Sequence, residues 1–248
     1  MGAHELLEPN FTHYGLCPIC EGPAKFSAKY NWFRDHLICG SCESVPRERA
    51  LARVMRDYYP NWRDLDIHES SPGGRGFTTK MASRCAGYSY SHYYPDLELG
   101  ASHPESGIRN ESIEALTFED NSLDLFITQD VIEHIFNPEA AFKEIARVLK
   151  PGGAHIFTVP IKNKQSPSCR RAKLSKSGNI THLLSPPEYH GNPIDPKGAL
   201  VTMDWGYDIA ALILQEAGTP TVIFQIDDIN AGIRAEYIDV LVSFKPEG

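Results

Sequence analysis

Apolar and polar positions between Ser122 and Pro160 fall into the pattern of a strand, a helix and a second strand. Leu123, Leu125, Phe126 and Ile127 form an apolar run of strand length, and Ala154 to Val159 form another, rich in β-branched and aromatic residues. Between them Phe142, Ile145 and Leu149, with Ala141 and Val148 alongside, make one apolar stripe that must bury itself against a sheet. Both ends of this helix are marked. Asn137 is placed to cap it, Pro138 suits its first position and Glu139 complements its positive end. Lys150-Pro151-Gly152-Gly153 closes it, because proline cannot continue a helix and glycine tolerates a left-handed turn. A parallel α/β layer follows. In such layers ligands lie outside the carboxyl ends of the strands, which puts the polar segment Thr128 to His134 where chemistry belongs.

The same patterning predicts a helix from Pro46 to Tyr59, with Leu51, Val54 and Met55 on one side, and strands at Leu65 to Glu69 and Gly87 to Tyr94. Near the end it predicts a helix from Ile209 to Ala217 and strands at Thr221 to Asp227 and Glu236 to Phe244. After Pro160 about forty-five residues pass before that helix, too many for an ordinary connection, so residues 161–205 read as a functional insertion or lid. Its first part, KNKQSPSCRRAKLSKSG, is basic and polar and suits either a mobile loop or a contact for an anionic substrate. Its second part, Thr181 to Pro193, brings His182, Glu188, Tyr189 and His190 into a turn held by prolines.

A chain of 248 residues can bury one good core with a module attached. No apolar run approaches the length that crosses a bilayer, and MGAHELLEPNF lacks a basic region followed by an apolar one, so a cytoplasmic protein without a membrane partner is the expectation. The formal charge of -8 disfavours nucleic acid bound over a wide face. Four of the six cysteines stand as Cys17-Pro-Ile-Cys20 and Cys39-Gly-Ser-Cys42. Four thiolates so spaced can close a tetrahedral Zn²⁺ site with no open position, which makes the metal structural; a disulfide pair or redox dithiols are the rival readings. Residues 1–45 then form a zinc-binding module and residues 46–60 a linking helix.

The run DLFITQDVIEHIFNPEAAFKEIARVLKPGGAHIFTVP resembles the corresponding region of class I S-adenosylmethionine-dependent methyltransferases, closely over about forty residues. The resemblance implies an α/β fold for residues 61–248: a Rossmann-like, seven-stranded methyltransferase sheet with helices on both faces, closed by a reversed hairpin of the last two strands, beside the small zinc ribbon or knuckle. It also implies S-adenosylmethionine as cofactor and a set of positions that hold it. Glu69 takes the acidic position after the first strand, and Ser71, Gly73 and Gly74 take the glycine-rich turn, where small side chains let the cofactor approach the backbone. SSPGG departs from the family's usual glycine pattern. The end of the second strand offers Ser91, His92 or Tyr93 where the family has a ribose-binding carboxylate. Ser112, with Glu111 beside it, aligns with the adenine contact. Gln129, Asp130 and His134 belong to the loop after the fourth strand, where Asp130 and Glu133 either order the loop or approach the cofactor's amino acid part.

Methyl transfer from a sulfonium needs alignment and exclusion of water, and a hydroxyl acceptor also profits from a base of near-neutral pKa. His190, His182 and His134 are the candidates, with Tyr189 positioning the acceptor. The expected activity is O-methylation of a small molecule or of a sugar hydroxyl in natural-product or cell-surface glycan chemistry. An RNA methyltransferase reading the nucleic acid through its zinc module, and a non-catalytic binding protein with a degenerate cofactor site, are the alternatives. Sequence leaves monomer and homodimer both open.

Overall fold

A computed structural model describes residues 11–192 and 194–247. Residues 1–10 of the N-terminal run, and Pro193 of the proline-held turn, lie outside the described residues. The chain divides into two compact units: one comprises the chain up to Leu65 with Gly74–Tyr88 and Ile223–Val240, the other Asp66–Gly73, Ser89–Val222 and the chain from Leu241 onward.

In the first unit, strands β1 (Phe11–Cys17), β2 (Gly22–Ala28) and β3 (Ile38–Cys39) form an antiparallel sheet in that order. A short helix α1 (Phe33–His36) precedes β3, and α2 (Pro46–Tyr58) and α3 (Gly76–Arg84) pack together. Helix α2 starts at a proline, and Glu48 closes its first turn by accepting from the Val45 amide at 3.1 Å. Its apolar face, Leu51, Val54 and Met55, is buried as the periodicity predicts. Arg49 on the same helix is also buried. Its guanidinium donates to the carbonyls of Leu37 (2.7 Å), Ser44 and Gly232 (2.7 and 3.0 Å) and lies over the Phe26 ring. One cation thus ties α2 to the chain just before it and to Gly232, far away in sequence. Burial lowers its pKa to about 10, still charged at neutral pH.

The second unit is built on β4 (Ile67–Ser70), β5 (Tyr88–His92), β6 (Arg109–Asn110), β7 (Leu123–Gln129) and β8 (Leu149–Thr158). The segment read as an insertion is threaded with short strands: β9 (Ile161–Asn163), β10 (Cys169–Arg170), β11 (Ala172–Leu174), β12 (Ile180–His182), β13 (Tyr189–His190), β14 (Ala199–Leu200) and β15 (Met203–Gly206). Helices α4 (Pro138–Val148) and α5 (Ile209–Ala217) and strands β16 (Thr221–Phe224) and β17 (Val240–Phe244) complete the chain. The main sheet has seven strands in the order β16-β17-β8-β7-β4-β5-β6, and β4/β7, β7/β8 and β5/β6 are parallel. This is the Rossmann-like methyltransferase order, with β17 inserted between β8 and β16.

Helix α4 forms as its caps predict: the Asn137 side chain accepts from the Ala140 amide at 3.1 Å, and Phe142, Ile145 and Val148 are buried, Phe142 against Phe157 and Trp205. Its end differs from expectation. Lys150 to Gly153 belongs to β8, which begins at Leu149 and not at Ala154, because Gly152 and Gly153 exchange backbone hydrogen bonds with Lys245. Gly153 runs so close to β7 that a Cβ there would stand 2.7 Å from the Asp124 carbonyl. His68 and His155 are buried within the sheet: His68 shares hydrogen bonds with Ser89 and Ser91 at 2.9 Å each, and His155 with Thr128 at 3.0 Å. Among the described residues no helix is long and apolar enough to cross a membrane.

Candidate functional site

The sheet order reverses between β4 and β7, since the chain proceeds from β4 outward through β5 and β6 and then returns to β7 and β8 on the other side. Parallel sheets open a crevice at such a point, beyond the carboxyl ends of the strands. Glu69 near the end of β4 and Gln129 at the end of β7 meet there: the Gln129 amide donates to Glu69 Oε1 at 2.7 Å. The Gln129 side-chain carbonyl oxygen is buried and has no hydrogen-bond partner, an acceptor with its bond unmade.

Two neighbouring turns pass through left-handed backbone. Ser71 has a left-handed φ of 54° and donates its amide to the Ser91 carbonyl at 2.8 Å, and Asp130 has a φ of 54° with its amide bonded to the Thr158 carbonyl at 3.0 Å. Asp130 Oδ1 also accepts from the Thr158 hydroxyl at 3.1 Å. A Cβ added at Gly73 would meet nothing within 4 Å. Gly74, which opens a segment of the other unit, has φ +69°.

At the end of β5 the three expected residues differ. Ser91 is fully buried with its hydroxyl on His68, and Tyr93 is exposed. His92 is buried with Nδ1 unpartnered, and burial lowers its pKa, so the imidazole is neutral. Glu111 is spent on structure: Oε1 accepts from Arg109 Nε at 2.6 Å and Oε2 from the Thr117 amide at 2.9 Å. The Ser112 hydroxyl accepts from the Glu114 amide at 3.3 Å.

The polar loop after β7 turns through a 3₁₀ segment, Ile132–His134. Thr202 fixes it, donating its amide to the Glu133 carbonyl at 2.8 Å and its hydroxyl to the carbonyls of Glu133 and Ile135. The insertion thereby lays β13 and β14 beside the loop. Leu200 O accepts from His134 Nδ1 at 2.9 Å, and the His190 ring stands 5.1 Å from the His134 ring, nearly perpendicular.

Glu133, only 2% exposed, lies between the two rings. Its Oε1 is 3.7 Å from His134 Nε2 and 3.7 Å from His190 Nδ1, ion contacts too long for hydrogen bonds, and neither carboxylate oxygen has a hydrogen-bond partner. The other nitrogen of His190 donates to Glu188 at 3.2 Å. Glu133 raises the His190 pKa above its ordinary value against the effect of burial, and Glu188 adds to the rise. Glu188 is itself held by Lys162 and by Arg171 at 3.6 Å. His182 is elsewhere, exposed on the β11–β12 hairpin, and Tyr189 is 53% exposed on β13.

The partners that complete this cluster had little sequence signal. Thr202 and the Leu200 carbonyl act through backbone geometry, and Lys162 and Arg171 look like any solvated cations until the insertion folds.

In the first unit the four cysteines converge. Their sulfurs all lie within 4.8 Å of one another, with Cys17–Cys42 and Cys20–Cys39 at 3.8 Å, and all four are free thiols. The two knuckles repeat one geometry: Glu21 and Glu43 both have φ 58°, and their amides bond back to the carbonyls of Cys17 (2.8 Å) and Cys39 (2.9 Å). A tetrahedral zinc with Zn–S bonds of about 2.3 Å separates its sulfurs by about 3.8 Å, so the cage has the size of the ion. An open cleft of about 620 Å³ adjoins it within the same unit, lined by Arg63, Arg75, Lys80 and Arg84 among others. Glu21 pairs with Arg63 (3.0 Å) and Lys80 (2.9 Å), and Glu48 with Arg75 (2.9 Å), so three of these four cations already contact a carboxylate.

Residues 72–157 match the family described as methyltransferase domain. Over 114 residues the chain is 32% identical to phosphoethanolamine N-methyltransferase 2 of Caenorhabditis elegans, covering 44% of this chain and 26% of that protein. Over 159 residues it is 28% identical to the ubiquinone/menaquinone biosynthesis C-methyltransferase UbiE of a Ruegeria species, covering 57% of this chain and 62% of that one. The chain therefore spans less than two thirds of the length of these relatives. Among solved structures, an S-adenosylmethionine-dependent methyltransferase from Mesorhizobium loti superposes with a TM-score of 0.50 at 17% identity, covering 79% of this chain and 97% of that one. Residues 72–157 are thus similar to a methyltransferase domain, and the sheet has the Rossmann-like fold of S-adenosylmethionine-dependent methyltransferases.

Proposed function

We propose that the protein transfers a methyl group from S-adenosylmethionine to an oxygen of a small hydroxylated acceptor, a natural product or a sugar. The observation that carries this reading is the Glu69–Gln129 pair at the switch point of the sheet, directly followed in the chain by the loop that bears Glu133 and His134. The cofactor supplies an electrophilic methyl on a sulfonium. Gln129 Oε1 is a buried acceptor and His92 Nδ1 a buried ring nitrogen, both without hydrogen-bond partners, which suits them to the cofactor's ammonium and ribose hydroxyls. Ser71 and Gly73 leave the backbone approachable. His92 then takes the part that a carboxylate has in the family.

Of the histidines expected near the acceptor, His134 and His190 stand together on Glu133, and we assign acceptor activation to this cluster. The insertion from β9 to β15 supplies His190 and is the segment that selects the acceptor. The four cysteines hold a structural Zn²⁺, supported by the match of sulfur spacing to the ion. The RNA reading gains nothing from the basic cleft, whose cations are mostly paired.

Methyl transfer from labelled cofactor to a panel of hydroxylated small molecules and sugars, run beside total RNA, tests the reading. Label in a small acceptor supports it; label in RNA alone contradicts it.

A further inference from the structure

We propose that Glu133, His134 and His190 form a binding site for one first-row divalent cation. The three groups present one ligand atom each, all within 4.8 Å of one another. The outward hydrogen bonds decide the tautomers. His134 Nδ1 faces the Leu200 carbonyl and His190 Nε2 faces the Glu188 carboxylate, and both of those oxygens only accept. Each of these nitrogens therefore carries the proton. In the neutral imidazoles the remaining nitrogens, His134 Nε2 and His190 Nδ1, are then lone pairs, and both point at the same carboxylate oxygen.

With both imidazoles neutral, three acceptors converge on one point with no donor among them. Glu133 is buried with both oxygens unpartnered, a costly arrangement that a cation at the centre would relieve. The gaps have the right scale. Bonds of about 2.1 Å from one ion place adjacent ligand atoms about 3.0 to 3.4 Å apart, so the 3.7 Å separations need to close by only a few tenths of an ångström.

The surroundings are those of a metal centre. Both imidazoles donate their second N–H to an oxygen acceptor, the contact that orients and strengthens metal-bound histidines. Glu188 is in turn fixed by Lys162 and Arg171. Two imidazoles and a carboxylate are a borderline donor set that takes zinc, cobalt, nickel or iron(II), and three protein ligands leave positions for an oxygen ligand.

The acceptor role of the site rests on the methyltransferase reading, whereas the cation site itself does not. A hydroxyl bound to the cation is acidified, its proton leaves to water, and the oxygen forms its bond to carbon as the methyl–sulfur bond breaks. In that role His134 and His190 are ligands and not lone bases.

Cobalt(II) titration of the full chain loaded with a single equivalent of zinc to fill the cysteines, without cofactor or acceptor, tests the site. Thiolate charge-transfer absorption reports any cobalt reaching the cysteines, and weaker ligand-field bands report a nitrogen and oxygen site. The expected result is one equivalent of cobalt with ligand-field bands and no thiolate bands. In Glu133→Gln and His190→Ala affinity should fall roughly a hundredfold or more, and in Glu188→Gln, which touches no ligand position, roughly tenfold. Wild-type protein that takes up no cobalt outside the cysteines, or equal uptake by Glu133→Gln and His190→Ala, overturns the proposal. Binding of S-adenosylmethionine to the same samples is measured separately, so failure of the cation site and failure of the methyltransferase reading give different results.

Discussion

The amide of Gln129 donates to Glu69 at 2.7 Å and joins the ends of β7 and β4 at the point where the sheet reverses. The remaining Gln129 oxygen is buried without a hydrogen-bond partner. Glu69→Gln should leave the fold intact and weaken S-adenosylmethionine binding by about tenfold or more, since a charged hydrogen-bonding group contributes about 1.5 to 3 kcal/mol. Calorimetric titration of wild type and variant checks this; equal affinity removes Glu69 from the cofactor site.

His92 offers a second, independent check. His92→Ala should weaken cofactor binding, and His92→Asp, which restores the carboxylate usual in the family, should bind at least as well as wild type. Loss of binding in both variants would assign His92 to structure alone.

Arg49 holds the first unit together through the carbonyls of Leu37, Ser44 and Gly232. Arg49→Met leaves those buried acceptors unmatched and should cost about 2 to 4 kcal/mol. Arg49→Lys should recover little, because an ammonium cannot reproduce the planar fork. Thermal melts of the three proteins read the difference, and a melting temperature unchanged in Arg49→Met would contradict it.

The buried histidines make stability depend on pH. Burial lowers the pKa of both His68 and His155 to about 3 from an ordinary 6.5, with Arg109 adding to the shift at His68. Above pH 6.5 both are neutral folded and unfolded and contribute no pH dependence. Below it the unfolded chain binds protons that the folded chain refuses, so stability should fall between pH 6.5 and about 3. His155→Gln should flatten this slope in denaturant titrations; an unchanged slope would show that His155 is not the source.

Removing the proposed zinc from the cysteine cage should unfold the β1–β3 sheet, because the free energy of metal binding is there part of the free energy of folding. Chelation followed by circular dichroism and zinc analysis should give loss of about one zinc per chain with loss of structure, reversed by adding zinc. A chelated chain that keeps its melting temperature would contradict the structural role.

Much of this architecture was legible in the residues. The stripe of Phe142, Ile145 and Val148 and the Asn137 cap located α4 because period and cap chemistry are local. The Cys-x-x-Cys pairs announced their cage for the same reason. Lys150 to Gly153 misled because the pairing with Lys245 that draws it into β8 is set by a strand distant in sequence. The insertion was the least legible part: its strands are only two to four residues long, and period 2 cannot register in so few positions. His190 stood out as a candidate by its neighbours, yet its position beside Glu133 depends on Thr202 clamping the loop.

The central claim is that the crevice between β4 and β7 binds S-adenosylmethionine, and calorimetry of the full chain with S-adenosylmethionine and with its demethylated product tests it most directly. Saturable heat at one site per chain, weakened by Glu69→Gln, is the expected result. No heat and no thermal shift at millimolar cofactor from a folded, zinc-loaded chain would contradict it.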